Sequence, residues 1–115
     1  MRQVEEAPIA PSVLVLTIVL NGMPFLTHHR AVLEAVAPWQ WHIVEGVAVG
    51  RADASRPYSS EPLTAFEKNG LSVDGTTEYI DALAAGDARV KVHRKPGGYW
   101  RDKIEMINAA LAAMP

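Results

Sequence analysis

The 115-residue chain contains no cysteine. Neither a disulfide framework nor a thiolate metal centre is open to it, and the absence fits a reducing compartment, so a cytoplasmic location is expected. It also lacks a surplus of either charge: 11 Lys and Arg stand against 13 Asp and Glu, for a formal net charge of −2. The long-range attraction that draws proteins to nucleic acid or anionic lipid is therefore missing, and neither partner is expected. The longest apolar run, Val13 to Leu20, falls far short of the roughly 20 residues that cross a bilayer, and no basic-then-apolar targeting segment precedes it. There is no Walker-type lysine loop and no G-x-G-x-x-G, which argues against P-loop and dinucleotide chemistry. What the chain does have is 49% hydrophobic residues, enough for the core of one small domain.

The rest of the chain is arranged around Val13 to Gly22, VLVLTIVLNG. An unbroken apolar and β-branched run that stops at Asn21-Gly22 reads as a strand buried on both faces, and it is expected at the centre of a parallel sheet. In open α/β sheets ligands bind beyond the carboxyl ends of the strands, so Asn21 and Gly22 mark the expected edge of a site. Residues 1–12, with Pro8, Pro11 and Glu5-Glu6, read as a loose lead-in to a domain over 13–115.

After the first strand, Phe25, His29, Val32, Leu33 and Val36 recur at helical spacing, so a helix is expected over 24–36, stopped by Pro38. Trp41 to Glu45 alternates and ends at Gly46, a second strand. Residues 47–73 hold turn-forming and polar side chains, including Arg51, Arg56 and Asn69, and read as a long loop or insertion with some helical turn over 61–68. Asp74-Gly75-Thr76 opens a second helix with Tyr79, Ile80 and Leu83 on its apolar side. Arg89 to His93 alternates as a third strand, and after the Pro96-Gly97-Gly98 turn, Trp100, Ile104, Ile107, Leu111 and Met114 form one stripe of a last helix beginning at Tyr99 or Trp100. The order β-α-β-loop-α-β-α gives an α/β fold.

Four stretches, TIVLNGMPFL at 17–26, HIVEG at 42–46, SVDGTTEYIDAL at 72–83 and GGYWRDKIEMINAAL at 97–111, together resemble the opening half of a family 2 glycosyltransferase with the GT-A nucleotide-sugar fold. The resemblance implies a partial GT-A fold, that is, a Rossmann-like three-layer sandwich on a mainly parallel sheet. It also implies a nucleotide-sugar-binding N-terminal portion that is not catalytically complete alone. The parent would pass a hexosyl or related sugar from a nucleoside diphosphate sugar, uridine-based, to an acceptor hydroxyl with inversion. A divalent metal, Mg or Mn, is expected in the full-length parent only. The sequence departs from the family pattern in four places: the 47–73 insertion, Glu45 where Asp is commoner, Ile107 before Asn108 where Arg is common, and no following strand with Asp-x-Asp. No catalytic residue and no metal ligand is assigned within these residues.

By the resemblance, Glu45 accepts the imide N–H of uracil, which would discriminate against cytosine; otherwise it is a solvated loop acid. Asn21 and Gly22 offer amide and backbone groups to base or ribose, or simply form a strand-to-helix turn. Asp74 touches the nucleoside or only caps a helix. Lys103, near the start of the last helix, meets a diphosphate or lies on a solvated face, and Asn108 matches a family position. The four histidines form no ligand cluster by spacing, with one of His28-His29 expected to pack and the other to be exposed. Trp39, Trp41 and Trp100 stack on a ligand or belong to the core. The reading from a different class is a non-catalytic Rossmann-like interaction or regulatory module. Ile104, Ile107 and Leu111 are expected to be partly exposed, and homodimer formation would cover them.

Overall fold

The computed structural model describes residues 13–36, 38–48, 67–96 and 98–115. The lead-in at 1–12, Arg51, Arg56, and all but the last two residues of the turn expected over 61–68 lie outside the described residues. In chain order the elements are β1 (Val13–Val19), α1 (Phe25–Leu33), β2 (Trp39–Glu45), α2 (Thr76–Gly86), β3 (Val90–His93) and α3 (Lys103–Ala113). The strands make one open, all-parallel sheet in the order β1-β2-β3. Leu26 and Leu33 of α1 and Ile80 of α2 pack with Trp39, Trp41, Ile43 and Val90 on one face. Met106 and Ala110 of α3 pack with Val44 and Trp100 on the other. The layers are thus helix, sheet, helix, and among the described residues they make the α/β arrangement expected from the order of elements.

The centre of the sheet is β2, not β1. β1 has the purest apolar sequence, yet it is an edge strand, half-buried along its length, with Leu14 exposed. β2 carries Gln40, His42 and Glu45 and is nevertheless buried at six of its seven positions. Hydropathy misranks the two because the polar side chains of β2 find internal partners, which removes most of the penalty for burying them. His42 is fully enclosed: its Nε2 bonds Gln40 Oε1 at 2.7 Å and its Nδ1 lies 2.9 Å from His93 Nε2, with the two rings stacked 5.2 Å apart. Since a carbonyl oxygen only accepts, His42 donates from Nε2, and His93 donates to the bare Nδ1. The parallel register, with Val44 beside His93, places both imidazoles on the same face.

Two helices bury only part of the apolar stripe expected of each: Leu33 of the first, and Trp100 and Met114 of the last, pack in the core. In α1, Leu26 and Leu33 face the sheet, while Phe25 and Val32 of the expected stripe are 66% and 64% exposed. α3 begins at Lys103 rather than at Tyr99 or Trp100, because Asp102 caps it by accepting the Glu105 N–H at 2.8 Å, and Glu105 reaches back to the Arg101 N–H at 2.7 Å. Its buried residues are Met106 and Ala110, whereas Ile104 and Leu111 are 64% and 54% exposed. Small Ala110 lets the helix lie close on Val44, which the bulkier Ile104 side would prevent.

At the amino end of the sheet, Trp39 is covered by the guanidinium of Arg89, 3.9 Å from its ring, and by that of Arg30 at 5.1 Å. Asp87, just past α2, accepts from both arginines and so joins α1, α2 and β3. This end is closed by structure; the carboxyl end is where polar groups and clefts collect.

Candidate functional site

Beyond β1 the chain turns through Asn21, whose φ of 57° lies in the left-handed region that Asn tolerates better than most residues. This turn is stitched to the start of α2. Asn21 donates its N–H to Ser72 Oγ at 3.0 Å and accepts the Val73 N–H on Oδ1 at 2.8 Å. Gly22 N–H donates to Thr76 Oγ1 at 2.8 Å, and Met23 N–H to Asp74 Oδ2 at 3.0 Å. The other Asp74 oxygen accepts the Thr76 N–H and hydroxyl at 3.0 and 2.6 Å. Burial raises the Asp74 pKa, and the donors from Thr76 and Met23 outweigh it, so its carboxyl sits below the usual range.

Glu45 ends β2 directly beside this turn and is completely enclosed. It is therefore not a solvated loop acid. Oε2 accepts the Ser72 N–H at 2.9 Å and the Thr77 hydroxyl at 2.5 Å, and Oε1 accepts Arg94 Nε at 2.9 Å. Arg94 reaches it because the register that sets His93 beside Val44 sets the next residue beside Glu45. The same guanidinium donates to Asp81 at 2.7 Å. Burial pushes the Glu45 carboxyl up; the bonds from Ser72, Thr77 and Arg94 more than reverse this and hold it below the usual carboxylate value. Three of about four acceptor positions are filled and the side chain is wholly enclosed, so a base edge reaches this carboxylate only by displacing a residue that packs on it.

Gly46 continues the chain at φ 142°, with space for no side chain: a Cβ there would lie 2.6 Å from Nε1 of Trp100. That indole donates to the Glu45 carbonyl at 3.1 Å, and the Trp100 N–H donates to the Val47 carbonyl at 3.2 Å. All three tryptophans are buried, so they serve the core. On the β1 side of this ridge is a cleft of about 260 Å³ lined by Ile18, Val19, Leu20, Gly46, Val47, Ala48, Lys103 and Met106, in which Lys103 is the one charged side chain among the described residues. On the β3 side is a hollow of about 440 Å³ lined by Asn69, Leu71, Arg94, Lys95, Gly98 and Tyr99. There Tyr99 donates to buried Glu67 at 2.7 Å, and Lys95 is paired with Glu105.

Four of the six residues singled out in the sequence, Asn21, Gly22, Glu45 and Asp74, therefore come together at the carboxyl ends of β1 and β2. Lys103 adjoins them from α3. Asn108 does not: it is exposed, farther along α3, and lines none of these clefts. His28 and His29 are both exposed, rather than one being packed. No three His, Cys, Asp or Glu side chains among the described residues converge as metal ligands. Ser72, Thr76, Thr77 and Arg94 were not picked out from the sequence; the one signal for them was the density of hydroxyl and acid groups in SVDGTT and a cation just past a strand end. Comparison with protein-family models, with curated proteins and with solved structures finds no match. No helix among the described residues is long and apolar enough to cross a membrane.

Proposed function

We propose that this chain is the nucleotide-sugar-binding N-terminal portion of a glycosyltransferase-like protein of the cytoplasm, with a Rossmann-like, partial GT-A fold. The observation that carries the reading is the cleft at the carboxyl ends of β1 and β2, walled by backbone at Leu20 and Gly46–Ala48 and holding Lys103. The Lys103 cation suits a diphosphate, and the apolar wall of Ile18, Val19 and Met106 suits the body of a nucleoside. Uridine remains the favoured base. Glu45 contributes mainly by fixing the loop that shapes the cleft, and it reads a base edge only when Ser72 gives way. Asn21, Gly22 and Asp74 hold that same loop.

The topology supports the reading further. α1 and α2 lie on one face and α3 on the other. Because crossovers between parallel strands are right-handed, a parallel strand following α3 adds beside β1. The strand order would then reverse next to the Lys103 cleft, and such switch points are where α/β sheets bind ligands. In this reading the metal-binding acids of the parent are carried by that strand, outside these residues. A Mg or Mn ion held there would neutralise charge on the departing diphosphate.

The test is a titration of the isotope-labelled chain with uridine diphosphate, with and without manganese, read by backbone amide shifts. Shifts confined to Leu20, Gly46–Ala48 and Lys103, weakened about tenfold by Lys103→Ala, are expected. A flat response up to millimolar ligand in both conditions would overturn the assignment. It would leave the non-catalytic interaction module in its place, a reading favoured by the full internal engagement of Glu45.

A further inference from the structure

A second enclosed polar cluster lies on the α3 face of the sheet. Gln40, His42 and Val44 of β2 point to this face, and the parallel register sets Lys91 beside His42 and His93 beside Val44. The hydrogen bonds of the cluster run in one direction. His42 Nε2 donates to Gln40 Oε1 at 2.7 Å, His93 Nε2 donates to His42 Nδ1 at 2.9 Å, and His93 Nδ1 has no partner among the described residues. Both neutral rings therefore carry their proton on Nε2, and the series ends on a bare nitrogen of the half-buried His93.

That order makes the two bare nitrogens unequal. A proton on His93 Nδ1 leaves every bond of the series in place and strengthens the one to His42, because its donor is then charged. A proton on His42 Nδ1 instead sets two N–H groups face to face at 2.9 Å, on stacked rings 5.2 Å apart that are both positive. Among the described residues no charge on this face compensates it. Lys91 of β3 adds a like charge beside His42. Lys95 and Glu105 are paired with each other, Asp102 caps α3 and bonds Arg101, and Lys103 is a further cation at the cleft beside β1. β1 sets uncharged Leu16 beside His42, and α3 packs on Val44 through Met106 and Ala110. Burial, then the charges of His93 and Lys91, hold the His42 pKa below its ordinary value, and burial does the same for His93.

The same strand end carries the Glu45 network. β3 is four residues long, and its pairing with β2 ends at His93. The next residue, Arg94, turns to the opposite face and holds Glu45 and Asp81 there. The end of β3 is thus fastened from both faces, by the His93 ring on one and by Arg94 on the other. We propose that the His42–His93 pair is a proton-operated latch: it accepts one proton without change, and a second drives the rings apart, shifts the end of β3 and loosens Arg94 from Glu45. The Ser72 loop, which Glu45 holds through the Ser72 N–H, loosens with it. A latch built in this way passes over the first proton and responds to the second.

The experiment is a titration of the isotope-labelled chain from pH 8 down to the ordinary carboxylate value of 4.5, a range in which Glu45 stays ionised. It follows the imidazole nitrogens, the Arg94 Nε–H signal, and the exchange protection of the Ser72 amide relative to an unstructured peptide at the same pH. Both rings are expected in the Nε2–H form at pH 8, with His93 taking the first proton and His42 the second in separate steps. The Arg94 and Ser72 signals change only with the second step, Ser72 protection falling about tenfold. Gln40→Glu, which sets a carboxylate on His42 Nε2, is expected to move the second step and the loosening together to higher pH. His93→Phe keeps a ring over His42 but removes the facing N–H, and no step at Ser72 or Arg94 is expected there. An Nδ1–H form of either ring at pH 8, simultaneous titration of the two rings, or the lack of a second step in this range would overturn the proposal. Ser72 protection that holds through the second step, loosening that stays in place in Gln40→Glu, or loosening that persists in His93→Phe would overturn it as well.

Discussion

Glu45 is the sharpest place to test how this fold is held together. Its carboxylate joins the end of β2 to the loop at Ser72, to α2 at Thr77 and to the end of β3 at Arg94, with no exposure to solvent. Removing one partner of a buried, hydrogen-bonded pair costs about 3–5 kcal/mol, because the other is left uncompensated. Glu45→Ala therefore consumes a large part of the roughly 5–15 kcal/mol available to a domain of this kind. Glu45→Gln is the cleaner perturbation. It keeps the volume and one acceptor oxygen, but turns an NH2 group towards donors that need an acceptor, a loss of about 2–3 kcal/mol. With a urea dependence near 2 kcal/mol per molar, the unfolding midpoint falls by about 1–1.5 M. The wild-type contribution has a defined pH window. The Glu45 pKa is lowered in the folded state, so its stabilisation is full above the ordinary carboxylate value of 4.5 and is lost as pH falls through the folded value. The assay is urea unfolding followed by far-ultraviolet circular dichroism at pH 7, with Arg94→Met and the double variant to complete the cycle. A Glu45→Gln loss below about 0.5 kcal/mol, or no coupling to Arg94, would refute the argument that this carboxylate organises the carboxyl edge.

Two further outcomes concern charge elsewhere on the sheet. The Arg89 hydrogen bonds, against some burial and with the added charge of Arg89 and Arg30, hold the Asp87 carboxyl at about 2 rather than 3.8. A depressed acid stabilises above its unfolded value and loses that contribution as pH falls towards 2, so Asp87→Asn should cost about 1 kcal/mol at pH 7, after allowance for screening, and almost nothing at pH 2. A gap that persists in acid would assign the effect to packing on Trp39. Burial first, then the charges of His93 and Lys91, lower the His42 pKa, and burial lowers that of His93. Their neutral forms therefore add stability above the ordinary value of 6.5 that declines as pH drops through the folded values. Urea midpoints measured from pH 8 to pH 5 should fall more steeply for the wild type than for His42→Phe, and parallel slopes would show that the stacked pair takes up no proton on unfolding.

The order of elements was legible because it depends on local signals: a β-branched run, a Pro after Asn-Gly, an Asp-Gly-Thr start, alternation in RVKVH. What the sequence misstated depends on which groups find partners across the fold. Glu45 looks like a loop acid until Ser72, near the far end of the 47–73 segment, and Arg94 close over it. The apolar stripes of α1 and α3 mark real surfaces, but periodicity alone does not say whether such a surface faces the sheet or lies beside its edge. Here Leu26, Leu33, Met106 and Ala110 take the sheet, while Phe25, Val32, Ile104 and Leu111 of the expected stripes stay exposed. β1 is a parallel case: its sequence is apolar throughout, yet among the described residues it is an edge strand.

At the carboxyl edge the chain is closed in one place and open in another, and the difference follows charge compensation. Around Glu45 and Asp74 every carboxylate oxygen meets at least one internal donor, so a ligand there would compete with the fold for the same hydrogen bonds. Two of the basic groups at this edge are also engaged, Arg94 by Glu45 and Asp81, and Lys95 by Glu105. Lys103 is different: among the described residues it lines an apolar cleft beside the ends of β1 and β2 to which no acid contributes. An anion entering there gains a cation without displacing an existing partner. On the reading proposed above, a charged ligand at this edge would therefore meet the cleft between β1 and α3 more readily than the residues that look most like a binding site in the sequence.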